Sequence, residues 1–587
     1  MLIRPAARRS QPFFLVATLA LALTISALLV MPTLAAAQIY VVDSTADAEL
    51  AVPGTDCETA AAECTLRAAI EASNEDADAD AIEFDETVFE GEAGLDAIET
   101  ATGLPAVGQP LEIDGGSCTT SAGPSGPCVE VVATTAQNLF VVAAKDTTIR
   151  NLAIGGATIG ILVAGGEEFT AAGNWLGLAL DENRSENNTG ILVEAGSDHA
   201  LVGGSTAADA NYVASGEEGI VAEAASGFRA IGNVIGRGPD GGENPDFRPT
   251  RFGVYVASSA LLDELPEVAE NSMLIDVDAT GIVSAGAGAS IVENDIAGPL
   301  VGIETLEPSE GEGNLIEGNE IEAADRFGIR IENELNTVLG NTILASGWDG
   351  ILLEGVEADH NQIGGDLPAE ENVISTSSGN GGNAIEIETS VAASRNEIAA
   401  NRGAENEGRF ISLSGHANGD IQPPAIASAL QTGASGTGAE PNATIRLFRK
   451  QTTAAGEIAA FLGKATADGV GTWKATFATS VPVGALVAAT QTSSDGGTSE
   501  VSVPVSAAGD PVTPSCATVP ALCPPPTGSV VPPPPPLVSP KPLKCKKGFA
   551  KKKVKGKPKC VKAKKKHKGK KGKGGKRTAA ASGLFSF

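Results

Sequence analysis

From Thr147 to Ser414 the chain repeats one short unit, a glycine followed by a β-branched aliphatic residue. It reads Gly160-Ile161-Leu162-Val163, Gly190-Ile191-Leu192-Val193 and Gly328-Ile329-Arg330-Ile331, and it recurs at Gly219, Gly253, Gly281, Gly302, Gly350 and, degenerately, Ala384. Successive units are 21 to 34 residues apart. A unit of this length, written in strand-type residues with no helical period, cannot bury a core alone. It must stack on its neighbours as a solenoid of β-coils. A second rung interleaves with the first: Asn, any residue, then an aliphatic, beginning at Asn174, Asn233, Asn294, Asn319, Asn341, Asn361, Asn372 and Asn396. Strand side chains alternate faces, so the aliphatic is expected inward and the middle residue outward. Asn tolerates left-handed backbone, so one Asn per coil is expected to stack as a ladder at a bend.

The stretch His360–Gly365 followed by Glu371–Ile374, and Val202-Gly203-Gly204 followed by Asn211-Tyr212-Val213, resemble the right-handed parallel β-helix repeat group of pectin-lyase-like architecture. The resemblance covers nearly half of the chain. It implies an all-β fold, a right-handed parallel β-helix placed at 91–418. That architecture hosts lyases, hydrolases, epimerases, phage tailspikes and adhesins, so it does not choose among functions.

The flanks divide into five segments. Arg4, Arg8 and Arg9, an apolar run from Phe13 to Val30, and Ala35-Ala36-Ala37 lay out a secretory signal peptide over 1–37. A secreted or cell-surface protein is expected, with membrane contact only through that segment or the tail. In 38–90 a strand precedes a helix over Cys64–Asn74, with Leu66, Ala69 and Ile70 on one face, and a strand follows at 82–84. This resembles the module named for its Cys-Ser-Leu-Arg-Glu-Ala stretch, found ahead of β-helix repeats in bacterial surface proteins; Thr65 and Ala68 replace its Ser and Glu. Such a helix would cover the solenoid's open end, with Arg67 in a structural role. Residues 419–508 read as a small β-sandwich, with strands at Ala443–Phe448, Gly471–Phe477, Leu486–Thr490 and Ser499–Val503, and resemble bacterial Ig-like domains. A Pro-rich linker (509–540) leads to a Lys-rich tail (541–587), expected to be disordered or to form one small hairpin.

Charge is split. Lys541 to Arg577 holds 19 Lys, one Arg and no acid, which leaves 21 cationic against 73 acidic residues elsewhere. An acidic body argues against nucleic acid docking on the solenoid, while the tail suits anionic envelope polymers. The eight cysteines fall into near neighbours, Cys57/Cys64, Cys118/Cys128, Cys516/Cys523 and Cys545/Cys560. Export and an even count favour local disulfides, and the lack of Cys-x-x-Cys spacing argues against zinc.

Residue patterns that could carry chemistry are few. Asp276 and Asp278, read as two apart on one strand, would share a face and attract a cation, calcium being the one cofactor this pattern admits. Arg330, outward between Ile329 and Ile331, is a candidate contact for an acidic sugar. Trp175 and Trp348 are candidate sugar-stacking platforms, with Phe252 and Phe327 in recurring Arg-Phe-Gly turns. No Gly-x-Ser-x-Gly, no Walker loop and no outstanding carboxylate pair is seen. Gly236–Gly241 matches Gly-x-Gly-x-x-Gly by letter, but Pro239 forbids the helix a dinucleotide needs. The expectation is a non-enzymatic, surface-associated protein with a structural, adhesive or glycan-binding role toward extracellular or wall polysaccharide. The alternative is a lyase or epimerase acting on uronic-acid polymers.

Overall fold

The computed structural model describes residues 37–510 except 55, 76, 92–96, 119–125, 260–261, 307–312 and 389–394, together with the backbone of Phe549–Val554 and Lys557–Lys562. The expected signal peptide and Pro-rich linker lie outside the described residues, save at their inner ends. The chain forms two units, divided at Pro511. In the second, the two strands named above pair as an antiparallel hairpin.

The first unit is a parallel β-helix. Three parallel sheets of 13, 11 and 11 strands run its length, each coil giving one strand to each. One coil passes through Thr148–Arg150, Leu152–Gly155 and Ile159–Val163; the next through Thr170–Ala172, Trp175–Leu176 and Thr189–Val193. The repeated Gly-Ile opens the third-sheet strands. Ile161, Ile191, Ile220 and Val254 lie in register, and all are fully buried. The glycine is required by close approach: a Cβ on Gly302 would lie 2.5 Å from the Gly328 carbonyl oxygen, and the same clash recurs along the stack.

The asparagines form two ladders, not one. Asn174, Asn211, Asn233, Asn271, Asn294, Asn319, Asn341, Asn372 and Asn401 stack between the first and second sheets, each amide donating to the next carbonyl oxygen at 2.8–3.0 Å. Asn314, Asn336, Asn361 and Asn396 form a second ladder at the entrance to the first sheet. Nor is Asn the left-handed residue. That conformation belongs to the residue before it: Gly173, Gly232, Glu270, Glu293, Gly318 and Gly340 have φ of 54–69°. The turn swings the chain inward, and the Asn that follows is buried, satisfying corner backbone that no strand can pair.

The N-terminal strands belong to the same helix. Ile39–Val42 and Asp80–Phe84 are the first two strands of the 13-stranded sheet. Between them runs the helix Leu66–Ser73, with Thr65 as N-cap accepting the Ala68 N–H at 3.1 Å. Leu66, Ala68, Ala69, Ile70 and Ala72 are buried, so the helix is enclosed rather than laid over one apolar face. Arg67 grips Asp47 through two nitrogens (2.7 and 3.0 Å) and reaches the Thr102 and Gly103 carbonyls at 3.1 Å. That fastens the helix to the first coil. Disulfides join Cys57 to Cys64 and Cys118 to Cys128. Cys516, Cys523 and Cys545 lie outside the described residues, and Cys560 is described by its backbone alone.

At the other end, two antiparallel sheets enclose a separate core of Ile445, Leu447, Trp473, Phe477 and Val487. One holds Ala425–Leu430, Gly433–Thr437 and Trp473–Thr476; the other Ala460–Thr466, Thr444–Lys450, Leu486–Thr492 and Val505–Ser506. The strand expected at Ser499–Val503 is absent. There the hydroxyls of Ser499 and Ser502 accept the N–H groups of Gln491 and Ala489 (3.1 and 2.9 Å), displacing the main-chain acceptors of a regular ladder. This region docks on the last coils. Gly403–Asn406 pairs with Gly456–Ile458, and the Asn418 side chain, bonded to the Asn396 main chain, also reaches the Thr498 carbonyl at 2.8 Å. The buried Arg446 bonds Asp366 and Glu397, each at 2.7 Å.

Candidate functional site

The five residues singled out in the sequence do not converge. Trp175 is outward on its strand but only 3 % exposed. Later turns fold over it, and it packs with Leu178, Leu180, Ala214 and Phe247, so it offers no stacking face. Asp276 and Asp278 are not on a strand. The strand Ser272–Leu274 has ended, and the two lie around a turn in which the Asp278 N–H donates to Asp276 Oδ1 at 3.1 Å. Among the described residues no cluster of three or more His, Cys, Asp or Glu could hold a metal. Asp80, which opens the strand Asp80–Phe84, is buried and accepts the Gln38 N–H at 2.8 Å.

Arg330 and Trp348 do share a surface, the outer face of the third sheet. Arg330 is opposite Leu352 in register, and Leu352 packs with Val301 and Phe327, with Trp348 against them. Trp348 is half-buried and meets Phe327 edge to face, with centroids 5.4 Å apart and an interplanar angle of 86°. The Arg326 guanidinium lies 4.8 Å over the Trp348 ring. Arg330 is already engaged. It reaches Glu304, Glu332 at 2.5 Å and Glu354 at 2.5 Å. Burial pulls its pKa down, but the bonds from Glu304 and Glu354 outweigh that and hold it above the ordinary arginine value. A guanidinium bound by three carboxylates is a knot in the wall, not a free cation for an acidic sugar.

Beside the aromatic pair is a feature the sequence reading missed. Asp349 is 5 % exposed and accepts from the Asn383 main-chain N–H (2.7 Å) and side-chain amide (3.0 Å). The same amide nitrogen also donates to Glu386, and Ser414 Oγ reaches Glu386 at 3.1 Å. Two carboxyls thus share one nitrogen. Burial raises the Asp349 pKa, with Glu388 adding to it. Burial also raises Glu386, reinforced by Asp349. Paired carboxyls held toward neutrality beside an aromatic wall can donate a proton or bond a hydroxyl. Repeat alignment carried the one available signal: Asp349 directly precedes Gly350 as Asn383 precedes Ala384, so both occupy one outward row.

Among the described residues no helix is long and apolar enough to cross a membrane. No protein family matches the chain, and no curated protein matches it. Solved structures do. A mutant tailspike protein of the E. coli bacteriophage HK620 is 10% identical, covers 73% of this chain and 87% of its own, and has a TM-score of 0.34. Full-length tailspike protein 2 of an Escherichia coli O157:H7 bacteriophage is 8% identical, covers 76% and 66%, and scores 0.25. A second HK620 tailspike mutant, in complex with a hexasaccharide, is 11% identical, covers 70% and 78%, and scores 0.20. The parallel β-helix itself rests on the strand register of this chain's three sheets.

Proposed function

We propose that this is an exported, surface-associated β-helix protein that binds glycan on the outer face of its third sheet and is retained partly by its Lys-rich tail. The observation that carries the reading is the half-buried Trp348, seated edge to face on the buried Phe327 and flanked by the Asp349–Asn383–Glu386 group. Sugar rings stack apolar faces on aromatics and bond their hydroxyls to flanking carboxyls and amides. The finer groupings belong to the same proposal: a pectin-lyase-like repeat over 91–418, a Cys-Ser-Leu-Arg-Glu-Ala-type cap over 38–90 and an Ig-like module over 419–508. The test is a glycan array followed by titration of the best ligand. Trp348→Ala should weaken binding at least tenfold, and unchanged affinity would remove the site. Deleting 541–587 should lower the cell-bound fraction if the tail is the tether.

A second reading, glycan cleavage, is favoured by the raised Asp349 and Glu386 carboxyls. New reducing ends that vanish in Asp349→Asn and Glu386→Gln would support it. The uronic lyase or epimerase form predicts unsaturated absorbance, or altered product NMR, with pectate or alginate plus calcium.

A further inference from the structure

Where the last β-helix coil meets the antiparallel sheets there is a cleft of about 900 Å³, one coil beyond the strand that carries Glu386. Phe410, Ile411, Ile426, Val501 and Val505 contribute apolar wall, and Lys450, the last residue of its strand, lines it with them. Lys450 is 4 % exposed, and among the described residues its ammonium makes no ion pair and no hydrogen bond. A buried lysine with no direct ion pair is costly to keep. Glu457 offsets part of that cost through space, without pairing with the ammonium. Glu457 spends its carboxylate on the turn that follows, accepting from Gln451 N (2.6 Å), Thr452 N (3.1 Å) and Thr452 Oγ1. Arg409 and Glu500, at the edge of the cleft, pair with each other. Burial holds the Lys450 pKa below the ordinary lysine value, with Glu457 pulling the other way.

We infer that this cleft binds an amphipathic anion, its acidic head on Lys450 and its apolar body along the Phe410–Val501 wall. One cation without a direct ion pair in a largely apolar cavity of ligand size fixes the orientation of such a molecule and excludes its uncharged analogue. The test is calorimetric titration of the full chain with decanoate, decanol and acetate, all below any micelle threshold. Decanoate should bind at least tenfold more tightly than decanol, and acetate should give no heat. Lys450→Met keeps the hydrocarbon stem and should bring decanoate down to the level of decanol. Ala455→Trp, on the exposed rim, should weaken both ligands and serves if Lys450→Met fails to fold. Equal affinity for decanoate and decanol, no decanoate binding, a preference that survives Lys450→Met, or full binding by Ala455→Trp would each overturn the inference.

Discussion

Replacing Asn319 with alanine tests whether the buried ladder holds the rod together. The Asn319 side chain donates to the Ile291 carbonyl and to Asn341 Oδ1, each at 2.9 Å, and accepts from Asn294 N (3.0 Å) and Asn294 Nδ2 (2.9 Å). Two of these losses are partly covered. Asn294 Nδ2 still has the Val268 carbonyl, and Asn341 Oδ1 still accepts the Asn319 main-chain N–H. The Asn294 N–H and the Ile291 carbonyl lose their side-chain bonds at a position with no solvent access. At about 1–3 kcal/mol for each of the two buried groups left short, Asn319→Ala should cost about 2–6 kcal/mol. Asn319→Asp keeps the shape but turns lone pairs on two acceptors, so it should be no milder. Equilibrium urea unfolding followed by circular dichroism measures the total, and native-state hydrogen exchange localises it to the coils spanning 294–344, since coils couple to their neighbours. Thr342→Ala, on the outward side of an adjacent strand, is the control and should stay within about 0.5 kcal/mol. If Asn319→Ala matched the control and the Asn294 amide exchanged no faster, the ladder would be a consequence of the stacking rather than a cause.

Three further outcomes follow from the same geometry. Cys57→Ser with Cys64→Ser opens a short loop and should cost about 2 kcal/mol, read as faster amide exchange in Leu66–Ser73 while the central coils stay unchanged. Asp349 and Glu386 hold protons more tightly folded than unfolded, so between about pH 4, where free carboxyls titrate, and their raised values, stability falls as pH rises. Glu386→Gln should therefore raise the unfolding midpoint more at pH 7 than at pH 4, and equal shifts would contradict the pairing. Arg446→Met leaves Asp366 with Lys464 alone and Glu397 without its guanidinium. An undocking cost of about 1–3 kcal/mol, reduced from a fully buried pair because the carboxylates are partly exposed, should appear as new proteolytic nicking between Ser414 and Ala425.

What could be read from the sequence and what could not divide along one physical line. The Gly-Ile stack was legible because every coil meets the same neighbour, so each repeat restates the same demand for a small residue and then an inward aliphatic. The asparagines were half legible. Both corners place an inward residue after a left-handed one, but the corner entering the first sheet uses Phe169, Ala200, Phe228 and Ala289 before Asn314 takes over, so two ladders overlapped in one pattern. The Asp276–Asp278 reading failed because strand alternation was carried past Leu274, where the strand ends. Trp175 failed because alternation says which way a side chain points, not whether a later loop such as that carrying Phe247 will cover it.

The outer face is of another kind. Its chemistry is written across coils: Arg330 meets Glu304 and Glu354 from the coils on either side, and Asp349 meets Asn383 and Glu386 from the next. Which residues become neighbours depends on coil length, here 21 to 34 residues, so no fixed spacing announces them. Insertions in the connecting turns change coil length without disturbing the buried Gly, Ile and Asn positions, since those are held in register by the sheets. The rod can therefore keep its core constant while each turn alters its own approach to the outer rows, and a site on this fold has to be sought in the register rather than in a motif.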